Sequence, residues 1–296
     1  MSLPLSSFPG SGVWRHLRHD AWGMLGLIIF AVFFLLAGGV WLGLIGQQWA
    51  LADGPRWAGP SGNHWLGTNV LGQDILQRAV YSSRTAFDIG LTVSVASTIL
   101  GAAFGALAGW RAYSWIDDTV LWIKGVLDSV PFYLFVAALA YALKGQPFAM
   151  HLAMILTFWT PTARLIRAEV MRIKNEDFVK MAQAIGLPAW RIVVRHVLPN
   201  TSHILLVQAT LVFVAAIKTE VILSFLGLGV QDGVSWGLML AESTQEVIAG
   251  HFGNFMAAST FLFTFLLGLN LLSDAIQDAL DPAMARIRRS AFKVAT

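Results

Sequence analysis

An all-α polytopic membrane protein with six transmembrane helices is the fold class this sequence predicts, on three observations. Of 296 residues, 56% are hydrophobic and 12% charged, with a mean hydropathy of +0.64, whereas soluble domains carry about a quarter charged residues. The charges are gathered between long apolar stretches, with none from Ala21 to Ala52 or from Ile89 to Trp110. A spanning helix needs about 20 apolar residues, so a chain of this length has room for about six or seven. The sequence contains no cysteine, which excludes a disulfide framework and a Cys-based metal site.

The first helix is expected over 21–46. It is too long for the apolar core of a secretory signal and reads as an uncleaved anchor. The second lies within Ile89–Trp110, where Gly101, Gly105 and Gly109 recur every fourth residue and mark one face that another backbone can approach. A third span runs from Val120 to Leu143 and includes Lys124, Asp128 and Pro131. A fourth lies between Lys144 and Arg164, a fifth from His203 to Leu228, and a sixth from Val247 to Ser273.

Six alternating spans place both termini on one side. That side receives Arg15, Arg18, Arg111, the basic residues from Arg164 to Arg195, and Arg286, Arg288, Arg289 and Lys293. The other receives Arg56, Arg78, Arg84 and Lys144, and after the fifth span only the acids Asp232, Glu242 and Glu246. Lysine and arginine concentrate on the cytoplasmic side of membrane proteins, so the first side is cytoplasmic. The same distribution accounts for the pI near 9.4 through the lipid bilayer, without a nucleic-acid partner.

Between the fourth and fifth spans lies NEDFVKMAQAIGLPAWRIVVRHVLPN, residues 175–200. Asn175 is placed to cap a helix whose first turn holds Glu176 and Asp177. Phe178, Ala182 and Ile185 fall on one face of it. Gly186 suits a left-handed C-terminal position, and Pro188 suits the first turn of a second helix that ends at Pro199. By periodicity alone this pair is a basic amphipathic loop, which lipid headgroups could hold at the interface.

The order Ala182, Gly186, then Val197, Leu198 and Pro199 resembles the cytoplasmic loop of binding-protein-dependent ABC importer permeases. Three further segments agree: HWLGTNVLGQDILQRAVYSSR (64–84), LSFLGLGVQDGVSWGLML (223–240) and NLLSDAIQDALDP (270–282). Together they resemble the second permease subunit of dipeptide, oligopeptide and nickel importers. The chain departs from the family pattern at Lys180 and Met181, where Glu-Ala is usual, and at Asn69 and Gln73, where Gly-Thr-Asp and Gly-Arg-Asp are usual.

The resemblance implies a type I ABC importer transmembrane domain over 85–282. It is preceded by a cytoplasmic segment (1–20), the first helix (21–46) and a periplasmic segment (47–84), and followed by a cytoplasmic tail (283–296). It implies a bacterial inner membrane, a sister permease subunit, two cytoplasmic ATPase subunits and a periplasmic or extracellular substrate-binding protein. ATP and Mg are expected on the ATPase subunits, with no cofactor and no catalytic site on this chain. Phe178, Ala182, Ile185, Gly186, Pro188, Leu198 and Pro199 would form the ATPase-coupling loop, a helix-in-groove contact.

Charges inside spans are costly and usually face protein or water, which makes Asp128, Lys218 and Glu220 candidates for the translocation path or a gate, or for an interhelical ion pair that meets Asp128 from another span. Asp274, Asp278 and Asp281 precede Arg286, Arg288 and Arg289 and read as a charge-balanced helix end. The scattered histidines contain no HExxH and there is no Gly-rich phosphate loop. A secondary transporter or channel for small solutes is the alternative, and it would show inverted repeats with paired broken helices. An intramembrane enzyme would have to be built from Asp128, Lys218 and Glu220.

Overall fold

Within hydrocarbon every backbone N–H and C=O needs an internal partner, and helices meet that demand locally. The computed structural model describes residues 18, 20–146, 148–230 and 233–280. Arg15, Asp232, Asp281, Arg286, Arg288, Arg289 and Lys293 lie outside them. The helices are α1 (Ala21–Trp41), α2 (Ile75–Trp110), α3 (Trp115–Asp128), α4 (Phe132–Ala142), α5 (Ala149–Ile173), α6 (Asp177–Ala184), α7 (Ala189–Ile192), α8 (Ser202–Phe225), α9 (Trp236–Ile248) and α10 (Gly253–Leu280). Among the described residues the only extended pairings are two single antiparallel bridges, Ala52 with Gln73 and Thr68 with Asp74.

The chain divides into two units. One comprises Met1–Phe87 with Asp232–Thr296, and the other Asp88–Gln231.

In the first unit, the Asp20 carboxylate accepts from the N–H groups of Trp22 (3.1 Å) and Gly23 (3.0 Å), so α1 has a side-chain cap. The helix ends at Trp41, short of the expected Gly46, because Gly43 and Gly46 both turn through positive φ. It packs closely on α10: a Cβ at Gly26 would lie 2.8 Å from the Gly268 carbonyl oxygen. Above that contact Phe33, Phe87, Trp236 and Phe265 form an aromatic core, with Phe33 and Phe265 centroids 5.0 Å apart. The apolar run expected to open the sixth span at Val247 is interrupted. It belongs to α9 up to Ile248, Gly250 turns at φ +89°, and α10 starts at Gly253.

In the second unit α2 packs on α5 through the predicted glycine face. A Cβ on Gly101, Gly105 or Gly109 would fall 2.7, 2.5 or 2.6 Å from the carbonyl oxygens of Trp159, Ala163 and Arg167. Arg167 also grips Asp117 on α3 with two bonds, of 2.6 and 2.7 Å. The expected third span is broken, since α3 and α4 meet at 94°. Pro131 cannot donate to a helix and disfavours helical backbone at Val130, so the helix stops there.

Among the described residues four helical runs are long and apolar enough to cross a bilayer: α1, α2, Ala189–Phe225 and α10. The bent pair makes a fifth if it counts as one span. The expected fourth span corresponds to α5, whose 25 residues include Arg164, Arg167, Glu169 and Arg172. It is not among the runs that pass that test.

Candidate functional site

The segment 177–201 is built from two short helices held on the ends of longer ones. In α6 the N-cap is Glu176, without a side-chain bond, and the Asn175 amide instead donates to the Met171 carbonyl at 3.1 Å. The expected Asn175 cap does not form: Glu176 holds the N-cap position, and the Asn175 side chain turns back onto the last turn of α5. At the other end Gly186, at φ +80°, donates to Gln183 O (3.0 Å) while Leu187 donates to Ala182 O (3.1 Å). This is the Schellman pattern, which satisfies the last carbonyls of a helix.

Pro188 (φ −66°, ψ 142°) precedes α7, and Pro199 does not end it. The chain continues through a π turn (Val193–Val197) and a 3-10 turn (Leu198–Thr201) into α8, one helical run from Ala189 to Phe225. Pro199 sits near the start of the 3-10 turn, where a missing N–H is tolerated.

Burial sorts the faces. Val179, Ala182, Ile192 and Val197 pack against Ile166, Val170 and Ile173 of α5, with Leu187 and Leu198 partly buried against them. Lys174 donates to the Trp110 carbonyl (2.6 Å), tying the same region to the end of α2. Ala182 is therefore only 7% exposed and does not share the outward face expected of it. The outward face is Phe178, Met181 and Ile185 (77% exposed), extended by Trp190 and Val194. Gly186, Pro188 and Pro199 are exposed beside it.

The three ionisable candidates are not brought together. Asp128 pairs within its own helix with Lys124 (2.5 Å) and accepts from Thr160 Oγ1 (3.2 Å) on α5. Glu220 is 4% exposed and accepts from Ser224 Oγ at 2.5 Å. Lys218 is exposed. Two residues apart on a helix, Lys218 and Glu220 point to different sides. The expected interhelical pair with Asp128 is not formed, because Lys124 occupies that carboxylate one turn away.

A polar cluster that sequence reasoning missed lies in the first unit. Arg78, 2% exposed, donates through Nη2 to Glu242 (2.5 Å) and through Nη1 to the Gln73 side-chain oxygen. Asn69 Nδ2 donates to the same Gln73 oxygen (3.0 Å), and the Val70 N–H donates to Glu246 (2.7 Å). Burial pushes the Glu242 carboxyl above the usual range, and Arg78 opposes that shift. A legible signal existed: the two departures at Asn69 and Gln73 sit four residues apart, and their amides bond to each other. Among the described residues no group of three or more His, Asp or Glu side chains could hold a metal. Asp274 and Asp278 are exposed on α10.

Residues 101–286 match the sequence model of the family described as binding-protein-dependent transport system inner membrane component. The chain is 33% identical over 276 residues to the dipeptide transport system permease protein of Bacillus subtilis, covering 92% of this chain and 85% of that one. It is 36% identical over 226 residues to the oligopeptide transport system permease protein of Mycobacterium bovis, with 75% and 77% covered. Against a putative peptide transport system permease protein of Brucella suis the identity is 32%, with 74% and 73% covered. With apolar helices long enough to cross a bilayer several times and a match over most of its length, the chain is a multi-pass membrane protein that belongs to the binding-protein-dependent transport system inner membrane component family.

Proposed function

We propose that this chain is the second permease subunit of an ATP-driven importer of dipeptides, oligopeptides or peptide-like compounds. It works beside a sister permease, with two cytoplasmic ATPase subunits and an external binding protein that delivers cargo. The peptide class is supported by the relatives, which are named as dipeptide and oligopeptide transport system permeases. ATP and Mg are held by the ATPase subunits. The chain crosses a bacterial inner membrane six times with both termini cytoplasmic, a reading supported by the lysine and arginine bias.

The observation that carries the proposal is the outward apolar face of Phe178, Met181, Ile185 and Trp190. An apolar stripe on α6 and the first turn of the run that begins at α7, ringed by exposed Lys180, Arg191 and Arg195, suits a groove on a partner protein. Its underside is locked to α5, and α7 runs without a break into α8. Motion imposed by ATPase closure therefore passes to a spanning helix along one helical run. Asp128, Lys218 and Glu220 are assigned to the translocation path.

Replacing Ile185 with Glu places a charge in the docking face without touching the buried side. In the reconstituted complex Ile185→Glu is expected to cut cargo-stimulated ATP hydrolysis by at least about tenfold, the equivalent of about 1.4 kcal/mol of docking energy. Unchanged stimulation would refute docking at this face.

A further inference from the structure

Beside the bend between α3 and α4 lies a half-open pocket of about 470 Å³, lined in part by Asp128, Ser129, Pro131, Phe132, Phe135 and Thr160. A volume of that order suits a small organic ligand. Three features of the pocket favour a cation. The Asp128 side chain is 46% exposed although it stands in the middle of an expected span. The C-terminal end of α3 lies at the same point and carries the negative pole of the helix. The phenyl rings of Phe132 and Phe135 line the wall, and aromatic faces attract ammonium groups.

A cation already pairs with Asp128. Lys124 Nζ lies 2.5 Å from Asp128 Oδ2, while the Thr160 hydroxyl donates to Oδ1 at 3.2 Å and steadies the carboxylate. A lysine ammonium is a compact charge on a flexible four-carbon stem, so it can leave without disturbing the backbone. Exchanging it for another ammonium keeps the carboxylate paired, which avoids the cost of an unpaired charge within a span.

We infer that this pocket binds the primary ammonium group of the cargo, displacing Lys124 from Asp128 and leaving Lys124 to meet the cargo's carboxylate. For a peptide the ammonium is its free amino terminus. That identification of the cargo rests on the peptide-importer reading, whereas the ammonium site itself does not.

The absence of cysteine in the chain allows a clean test. In the assembled complex, Ser129→Cys is treated with a cationic and an anionic methanethiosulfonate of similar size, and modification of this chain is followed by mass. The cationic reagent is expected to react about tenfold faster, through enrichment of cations by Asp128 and the negative pole of α3, and Asp128→Asn, which leaves Lys124 unopposed, is expected to remove that preference or reverse it. Alanyl-alanine is expected to protect the cysteine and N-acetyl-alanyl-alanine to leave it reactive. Equal rates for the two reagents, protection by both peptides alike, or no protection by either peptide or by butylammonium overturns the inference. Protection by butylammonium but by neither peptide keeps the ammonium site and removes the peptide reading instead. If Asp128→Asn does not assemble, Lys124→Gln replaces it: loss of the resident cation is expected to raise the cationic preference, and no change overturns the inference.

Discussion

Gly186 is needed for its backbone and not for its size. Its φ of +80° lies in the left-handed region, yet a Cβ there would meet nothing within 4 Å. A left-handed residue other than glycine costs about 1–2 kcal/mol, and asparagine tolerates that region better than alanine. Gly186→Ala is therefore expected to lower thermal stability more than Gly186→Asn. Gly186→Asp is expected to insert and assemble but to lose transport, because its charge sits beside the docking face. Normal cargo-stimulated ATP hydrolysis in that variant would count against the docking site. A second residue-scale case is the amide pair Asn69 and Gln73, which stands where the family usually carries Asp and Arg. Gln73→Arg alone would set a second guanidinium against buried Arg78. Its destabilisation is expected to be relieved in part by Asn69→Asp, with a coupling of about 1 kcal/mol in a double-mutant cycle of unfolding in detergent. Additive effects would mean that the two positions act independently.

Elements obey contacts that periodicity reveals only in part. The four-residue glycine repeat in α2 was enough to expect a close helix neighbour, because a small-residue face has few other uses in a membrane. It could not say that the neighbour is α5. With a Cβ at Gly105 falling 2.5 Å from the Ala163 carbonyl, Gly105→Val is expected to force the helices apart and cost about 1–3 kcal/mol, read as a lower midpoint of unfolding. A change within 0.5 kcal/mol would show that the contact yields. The third span and the loop pair depart from the pattern in the sequence for opposite reasons. Pro131 was expected to be tolerated inside one helix and instead separates two at 94°, while Pro199 was expected to end a helix and is carried through a π and a 3-10 turn. Helix ends are decided by which neighbours can satisfy freed carbonyls, and hydropathy does not record neighbours. The inward turn of Ala182 has the same origin. Its place on the wheel lies between the two faces, and the side chains of α5 decide which one it joins.

At the scale of the molecule, the family match begins at residue 101, whereas α1 is packed into the first unit against α10. Gly26 meets Gly268 there, and Phe33 meets Phe265. Deleting residues 1–46 is therefore expected to uncover the α10 face and sharply reduce the amount of folded chain recovered from membranes, and co-expression of residues 1–60 is expected to restore part of it. Recovery equal to the full chain would show that α1 is dispensable to this unit. The cluster around Arg78 likewise depends on residues far apart in the chain, since Glu242 is 164 positions away. By itself the sequence determined the solvent, the helical class, the approximate places of four long apolar helices and the family. Those properties are written in composition, in apolar length and in motifs that each lie within one segment. Only the tertiary structure decided the 94° bend and the pocket beside it, the partners of Asp128 and Arg78, and the face that the loop helices leave outward. Each of these depends on which distant side chain arrives to fill a space or pair a charge, and that information is held by no single segment.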